Sequence, residues 1–226
     1  MITINISNDL GSGKLGGALL EKVYDIDTQT EYQMEDLNPN DFIYGNIFPV
    51  QGLITINESY IDTLKSIRYQ DGNNAFYYTM LHEIGHILGI LSIPLHLGKI
   101  QYYINDDNTN AFYQHIDSKA VYHYDEYFNP NSTSWTLIPV ENDGGAGTQY
   151  VHPEEGTEHF QSNNDRVIDG IPYPGLDREL MSGWLDGFVP NAIHDYIPAL
   201  SKITIGFLAD IGFEVDYSKA DVYVAE

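Results

Sequence analysis

The sequence predicts an α+β fold in two lobes around a cleft, and three observations carry that prediction. Apolar and polar residues alternate over residues 2–6 and again over 53–57, which is the period of a half-buried strand. Capped amphipathic helices are signalled near residues 74–88 and 201–212. Between them, residues 92–150 lose strong periodicity altogether. With 226 residues the chain is long enough for one sizeable domain. The pattern divides it into an N-terminal lobe (1–91), an insertion (92–150) and a C-terminal lobe (151–226) that is largely irregular apart from its terminal helix.

Taken in order, Ile2, Ile4 and Ile6 form the first strand, and this pattern does not read as a signal peptide. Gly11, Gly13, Gly16 and Gly17 lead toward Ala18-Leu19-Leu20, read as a short helix. No Walker or dinucleotide-binding spacing accompanies these glycines, so phosphate binding is not indicated. Leu53-Ile54-Thr55-Ile56-Asn57 follows Gly52 as a second strand of a twisted, mostly parallel sheet. Asp71, Asn73 and Asn74 offer N-cap oxygens to the next helix, and Gly89 ends it. Tyr77, Met80, Leu81, Ile84 and Leu88 fall at helical spacing and predict its core-facing stripe. The Tyr-, Asn- and Asp-rich stretch after Ser92 reads as a long, partly irregular insertion. Ser201 caps the last helix, Ile203, Phe207, Leu208 and Ile211 face its core, and Gly212 stops it.

Composition narrows the function classes. A net charge of −23 repels nucleic acid and anionic membranes, which sets both aside as partners. The carboxylates serve solubility, and some are candidates to bind calcium or attract basic peptides. No stretch approaches the roughly 20 apolar residues of a membrane span. Cysteine is absent, which excludes disulfides, thiolate metal sites and a cysteine nucleophile.

His82-Glu83-Ile84-Gly85-His86 is an H-E-x-x-H motif inside the predicted helix. Residues i and i+4 project from one helix face, so both imidazoles reach a single ion. Glu83 lies beside them as a general base for a metal-activated water. A catalytic zinc takes three protein ligands and leaves a fourth position open. The motif extends to Gly89, and the histidine expected three residues later in most metzincins is replaced by Ser92. Among the other histidines, His152 is a candidate third ligand, while His96, His115, His123 and His194 read as surface or structural. A downstream glutamate, Glu126 or Glu154, is the thermolysin-like alternative. Asp106-Asp107-Asn108-Thr109-Asn110 resembles part of an EF-hand loop, but Ala111 replaces the required glycine. A solvated acidic loop is the leading reading there, with another calcium site within 105–147 as the alternative.

Three further blocks follow the motif: Gly156-Thr157-Glu158-His159-Phe160, Glu179-Leu180-Met181-Ser182-Gly183, and the helix that opens at Leu200-Ser201-Lys202-Ile203-Thr204. Together with the motif they resemble the leishmanolysin family of metzincins, in order and in character. The likeness covers residues 75–92 and 156–223. It implies a single catalytic domain of metzincin-like zincin fold, with His82, His86 and His159 as zinc ligands, Glu83 as base and Met181 as the Met-turn residue. It further implies a zinc endopeptidase acting on a peptide or protein substrate laid along an edge strand, for which residues 53–57 are the candidate. Such a protein is expected to be secreted, cell-surface or virion-associated. The alternative function is a structural component of a virion or surface assembly that keeps a metal site with little turnover. Oligomeric state is not legible.

Overall fold

The computed structural model describes all residues except 9, 11, 12, 39, 106, 107, 129–135, 157–165, 169, 225 and 226. In chain order its elements are β1 (Ile2–Ser7), β2 (Gly16–Asp25), β3 (Thr30–Gln33), β4 (Ile47–Asn57), α1 (Ile61–Ser66), α2 (Ala75–Ile87), α3 (Ser92–His96), β5 (Ile100–Asn105), β6 (Asn108–Tyr113), α4 (Lys119–Phe128), β7 (Ile138–Val140), β8 (Arg166–Ile168), β9 (Ile171–Tyr173) and α5 (Lys202–Ile211). This is a mixed α+β structure with several sheets.

The first sheet has the order β1-β4-β2-β3. Only β1 and β4 run parallel, while β4–β2 and β2–β3 are antiparallel, so the expected mostly parallel sheet is corrected. For β2 and β3 the reason is the short link of residues 26–29, since parallel neighbours need a long crossover and antiparallel ones do not. The β2–β3 turn is clamped by Asp25, whose carboxylate accepts from the Asp27 amide at 2.9 Å and the Thr28 hydroxyl at 2.9 Å. Residues 53–57 lie in β4, which is paired on both sides and is therefore not an edge.

Residues 18–20 belong to a strand and not to the short helix expected. The reason is a bulge. Pairing with β4 slips between Leu20 and Val23, which leaves both of these side chains buried although they are three residues apart. That inward spacing imitates a helix.

Helix α2 packs across β4. Ile54, Ile56 and Ile87 are buried together, with Met80 and Ile84 against them. A side chain at Gly52 would come within 2.9 Å of Ile87 Cγ2, so this glycine lets helix and sheet approach. The opposite side of α2 is also buried through Tyr78, Gly85 and His86, whereas Tyr77 is 45% exposed. The single stripe expected through Tyr77 is thus replaced by two buried faces.

The insertion is better ordered than its sequence suggests. β5, β6 and β7 form an antiparallel sheet, and Ala111, Phe112 and Tyr113 are all fully buried. Asn105 pairs with Asn108, and Asn108–Tyr113 is a strand, so among the described residues the stretch from 108 to 113 is not part of a calcium-binding loop. Helix α4 crosses α5 closely, because a side chain at Gly206 would meet Ala120 Cα at 2.6 Å. Asp210 of α5 caps α4 from outside, accepting from Lys119 N at 2.6 Å, Ser118 Oγ at 2.5 Å and Tyr113 OH at 2.9 Å. One buried cluster runs through all three segments, from Leu20 to Tyr223. Among the described residues, no helix is long and apolar enough to cross a membrane.

A candidate metal centre

Helix α2 starts where Asn74 accepts from Tyr77 N at 2.9 Å and ends near Gly89, at φ +96°. Within it His82 and His86 stand one turn apart with ring centroids 4.7 Å from each other. The third imidazole is His152, which approaches from the chain after β7. There the backbone doubles back. Glu141 N donates to His152 O at 2.9 Å, Tyr150 N donates to Glu141 O at 2.8 Å, and Val140 bridges Pro153. Glycine at 183 leaves room for this, since a side chain there would meet Thr148 Cγ2 at 2.6 Å.

The three Nε2 atoms form a nearly equilateral triangle, with sides of 3.0, 3.0 and 2.9 Å. Their tautomers decide what that means. His82 Nδ1–H donates to Leu180 O at 2.8 Å, and His152 Nδ1–H donates to Thr148 O at 2.7 Å. A carbonyl only accepts, so both rings carry their proton on Nδ1 and turn Nε2 lone pairs toward each other. Two lone pairs at 3.0 Å repel, and no hydrogen lies between them. A cation at the centre removes the repulsion. Two nitrogens about 2.0–2.1 Å from one ion are about 2.9–3.4 Å apart for angles from square to tetrahedral, so the triangle fits at its tight end. His82, His86 and His152 are a group of ligands fit to hold a metal ion.

Burial keeps the rings neutral. It lowers the pKa of His82 against the raising effect of the Leu180 hydrogen bond. His86 falls well below its usual value through burial and then through the charges of His152 and His82. His152 is lowered to about 3, again by burial first. Neutral imidazole is the form that ligates.

Glu83 is buried against β2, and desolvation raises its pKa to about 8. A dication nearby would favour the carboxylate and oppose that rise. Gly16 of β2 makes space for it, because a side chain there would lie 2.5 Å from Glu83 Oε1. Beneath the helix, Met181 is fully buried, and any side chain on Gly85 would overlap its sulfur. The turn that carries Leu180 and Met181 is held by Glu179. Its carboxylate accepts from Met181 N at 2.6 Å, from Ser201 Oγ at 2.7 Å and from Thr204 Oγ1. The orientation of His82 is thereby tied to the cap of α5.

The site opens on a cleft of about 1100 Å³ lined by Gly16, Leu20, Tyr69, His96, Trp184 and Tyr196, among others. On the far side of β2 from β4, β3 pairs only with residues 22–25. Among the described residues, the outer edge of residues 16–21 therefore meets no strand, and it faces this cleft.

Of the ligands expected from sequence, His82 and His86 converge, and His159 lies outside the described residues. His152 supplies the third nitrogen. No local sequence signal distinguishes it, because its place depends on the chain reversal at Glu141. Glu126 instead pairs with His123 at 2.9 Å, and Glu154 with Arg166. Ser92 Oγ bonds the His86 and Ile90 carbonyls at 3.3 Å. A scan against protein-family models and a search of curated proteins each gave no match to this chain.

Proposed function

We propose that the protein is a zinc-dependent endopeptidase in which His82, His86 and His152 hold the ion and Glu83 is the general base. The observation that carries this reading is the triangle of Nε2 atoms, with the His82 and His152 lone pairs turned inward, Glu83 on the same helix and an open cleft above. Zinc suits three neutral imidazoles, and when bound it supplies Lewis-acid activation of a water at near-neutral pH. The Glu83 carboxylate takes the proton of the attacking water and passes it to the amide nitrogen of the leaving segment. The free edge of residues 16–21 pairs with an extended peptide, which sets the scissile bond beside Glu83. Leu180 O and Thr148 O orient His82 and His152 from behind, as carbonyl partners do for metal-bound imidazoles. The sequence blocks that resemble the leishmanolysins support the same chemistry and a two-lobed metzincin-like fold, with His152 in the role first expected for His159.

Elemental analysis and peptide hydrolysis test the proposal together. One zinc per chain is expected, with cleavage lost in Glu83→Gln while metal content is kept. His152→Ala should lose zinc and His159→Ala should retain it. The reverse pattern would restore His159 as the ligand. Zinc bound without hydrolysis of any protein substrate would favour a structural component of an assembly.

A further inference from the structure

Behind the turn that carries Leu180 and Met181 lies a second, chemically different cluster. Glu155, Asp177 and Asp186 each place a carboxylate oxygen within 4.8 Å of the other two. Glu155 is wholly buried and Asp177 is 1% exposed. Both oxygens of Glu155 and Oδ1 of Asp186 are buried with no amide or hydroxyl donor, and the group Glu155 meets is the Asp186 carboxyl, one acid against another. Leaving a fully buried carboxylate without a donor costs several kcal/mol in a folded protein, so such a group implies either a proton or a cation.

The chain brings these residues together deliberately. Residues 154–156 and 174–176 cross so closely that a side chain at Gly175 would meet the Glu155 carbonyl carbon at 2.6 Å. Leu176 N donates to Glu154 O at 2.6 Å across the same crossing. Arg178 Nε stands 3.6 Å from Asp177 Oδ2 while its guanidinium stacks 4.3 Å from the Tyr196 ring. Without an ion, a proton on Glu155 relieves the repulsion among these carboxyl groups, and a dication would do so by displacing that proton. Burial, with the charges of Asp186 and Asp177 behind it, pushes Glu155 up to about 10, and burial raises Asp186 to about 7.

We propose that Glu155, Asp177 and Asp186 form a calcium site that braces the wall of the cleft. All three donors are oxygen, which selects a hard cation over the nitrogen-seeking ion of the histidine triangle. Ligand atoms about 2.3–2.6 Å from calcium lie at most about 5 Å from one another, and the observed spread falls within that limit. Carboxylates from three irregular segments suit the flexible coordination of calcium, with carbonyls and water completing the shell. The ion would fasten residues 155, 177 and 186 on either side of the turn that positions His82. It is a structural site, and it does not depend on the proposed peptidase chemistry.

The test is calcium titration of the zinc-loaded protein in metal-depleted buffer, read by calorimetry and by melting temperature. One calcium per chain is expected, with a Tm rise on the order of 5 °C at a hundred times the Kd. Glu155→Gln should abolish both responses, and the less buried Asp186→Asn gives the same test should the first variant fail to fold. His152→Ala should keep the calcium response while losing zinc, which separates this site from the histidine one. No heat and no Tm shift with calcium would overturn the proposal. So would a response that survives in both carboxamide variants, or one given by magnesium or manganese but not calcium.

Discussion

Replacing Gly85 by alanine should change sign with the residue beneath it. In an open helix this substitution stabilises by about 1 kcal/mol, because glycine costs backbone entropy. Here the new methyl group would overlap Met181 Sδ and lie 2.9 Å from Met181 Cε, with Ile90 Cδ1 at 3.4 Å. Met181 is fully buried, so overpacking of about 1–3 kcal/mol opposes the helix gain. Gly85→Ala alone is therefore expected to destabilise by about 1 kcal/mol. Met181→Ala alone should cost about 2–5 kcal/mol as a cavity in the core. Made in the Met181→Ala background, Gly85→Ala meets no sulfur and should stabilise by about 1 kcal/mol. The coupling is then about 2 kcal/mol, read from a double-mutant cycle by urea unfolding of chelator-treated protein. Equal effects of Gly85→Ala in the two backgrounds, within about 0.5 kcal/mol, would refute the packing of the turn under the helix.

Other expectations follow from the same contacts. Gly16→Ala should retain zinc but lower kcat, since its methyl group displaces the Glu83 carboxylate; an unchanged kcat would count against the proposed base. Asp210→Ala removes the acceptor for Tyr113, Ser118 and Lys119 and should cost about 2–4 kcal/mol by urea unfolding, against a small effect if the cap is unimportant. The metal-free protein should lose stability as pH falls from about 6.5 toward the depressed His152 value near 3, because the unfolded chain takes up those protons first. It should also lose stability as pH rises above about 4.5 toward 10, because Glu155 holds its proton longer when folded, and Glu155→Gln should flatten that limb in melting curves.

Helices α2 and α5 are readable because their caps are local: Asn74 and Ser201 do bond the amides their positions predict, although the buried stripe expected through Tyr77 is not the one α2 uses. The strands around them were harder. A bulge set Leu20 and Val23 on the same side at helical spacing, so β2 disguised its period. In β6, Ala111, Phe112 and Tyr113 are buried on both faces, which erases alternation and made the insertion look irregular. The H-E-x-x-H pair is local and was legible at once. The third nitrogen is not local, since His152 arrives by a backbone reversal whose hydrogen bonds leave no trace in residue type. The carboxylate cluster has the same character, three acidic residues scattered over a chain rich in them.

The hydrogen bond from His82 to Leu180 joins residues 98 positions apart, and the contacts of His82 and His86 with His152 span 70 and 66. An unfolded chain offers an ion only the neighbouring His82 and His86, and then only when that segment is helical. Closing loops of this length is among the slower steps of folding. On the proposed reading of the histidine site, ion capture is therefore expected as a late event, following the collapse that assembles the three segments. A metal added at the end acts on the reverse reaction. It is expected to slow unfolding while leaving the refolding rate unchanged, so that the loaded protein persists by kinetics as much as by equilibrium. Stopped-flow refolding and unfolding, with and without zinc, would show the two limbs responding unequally.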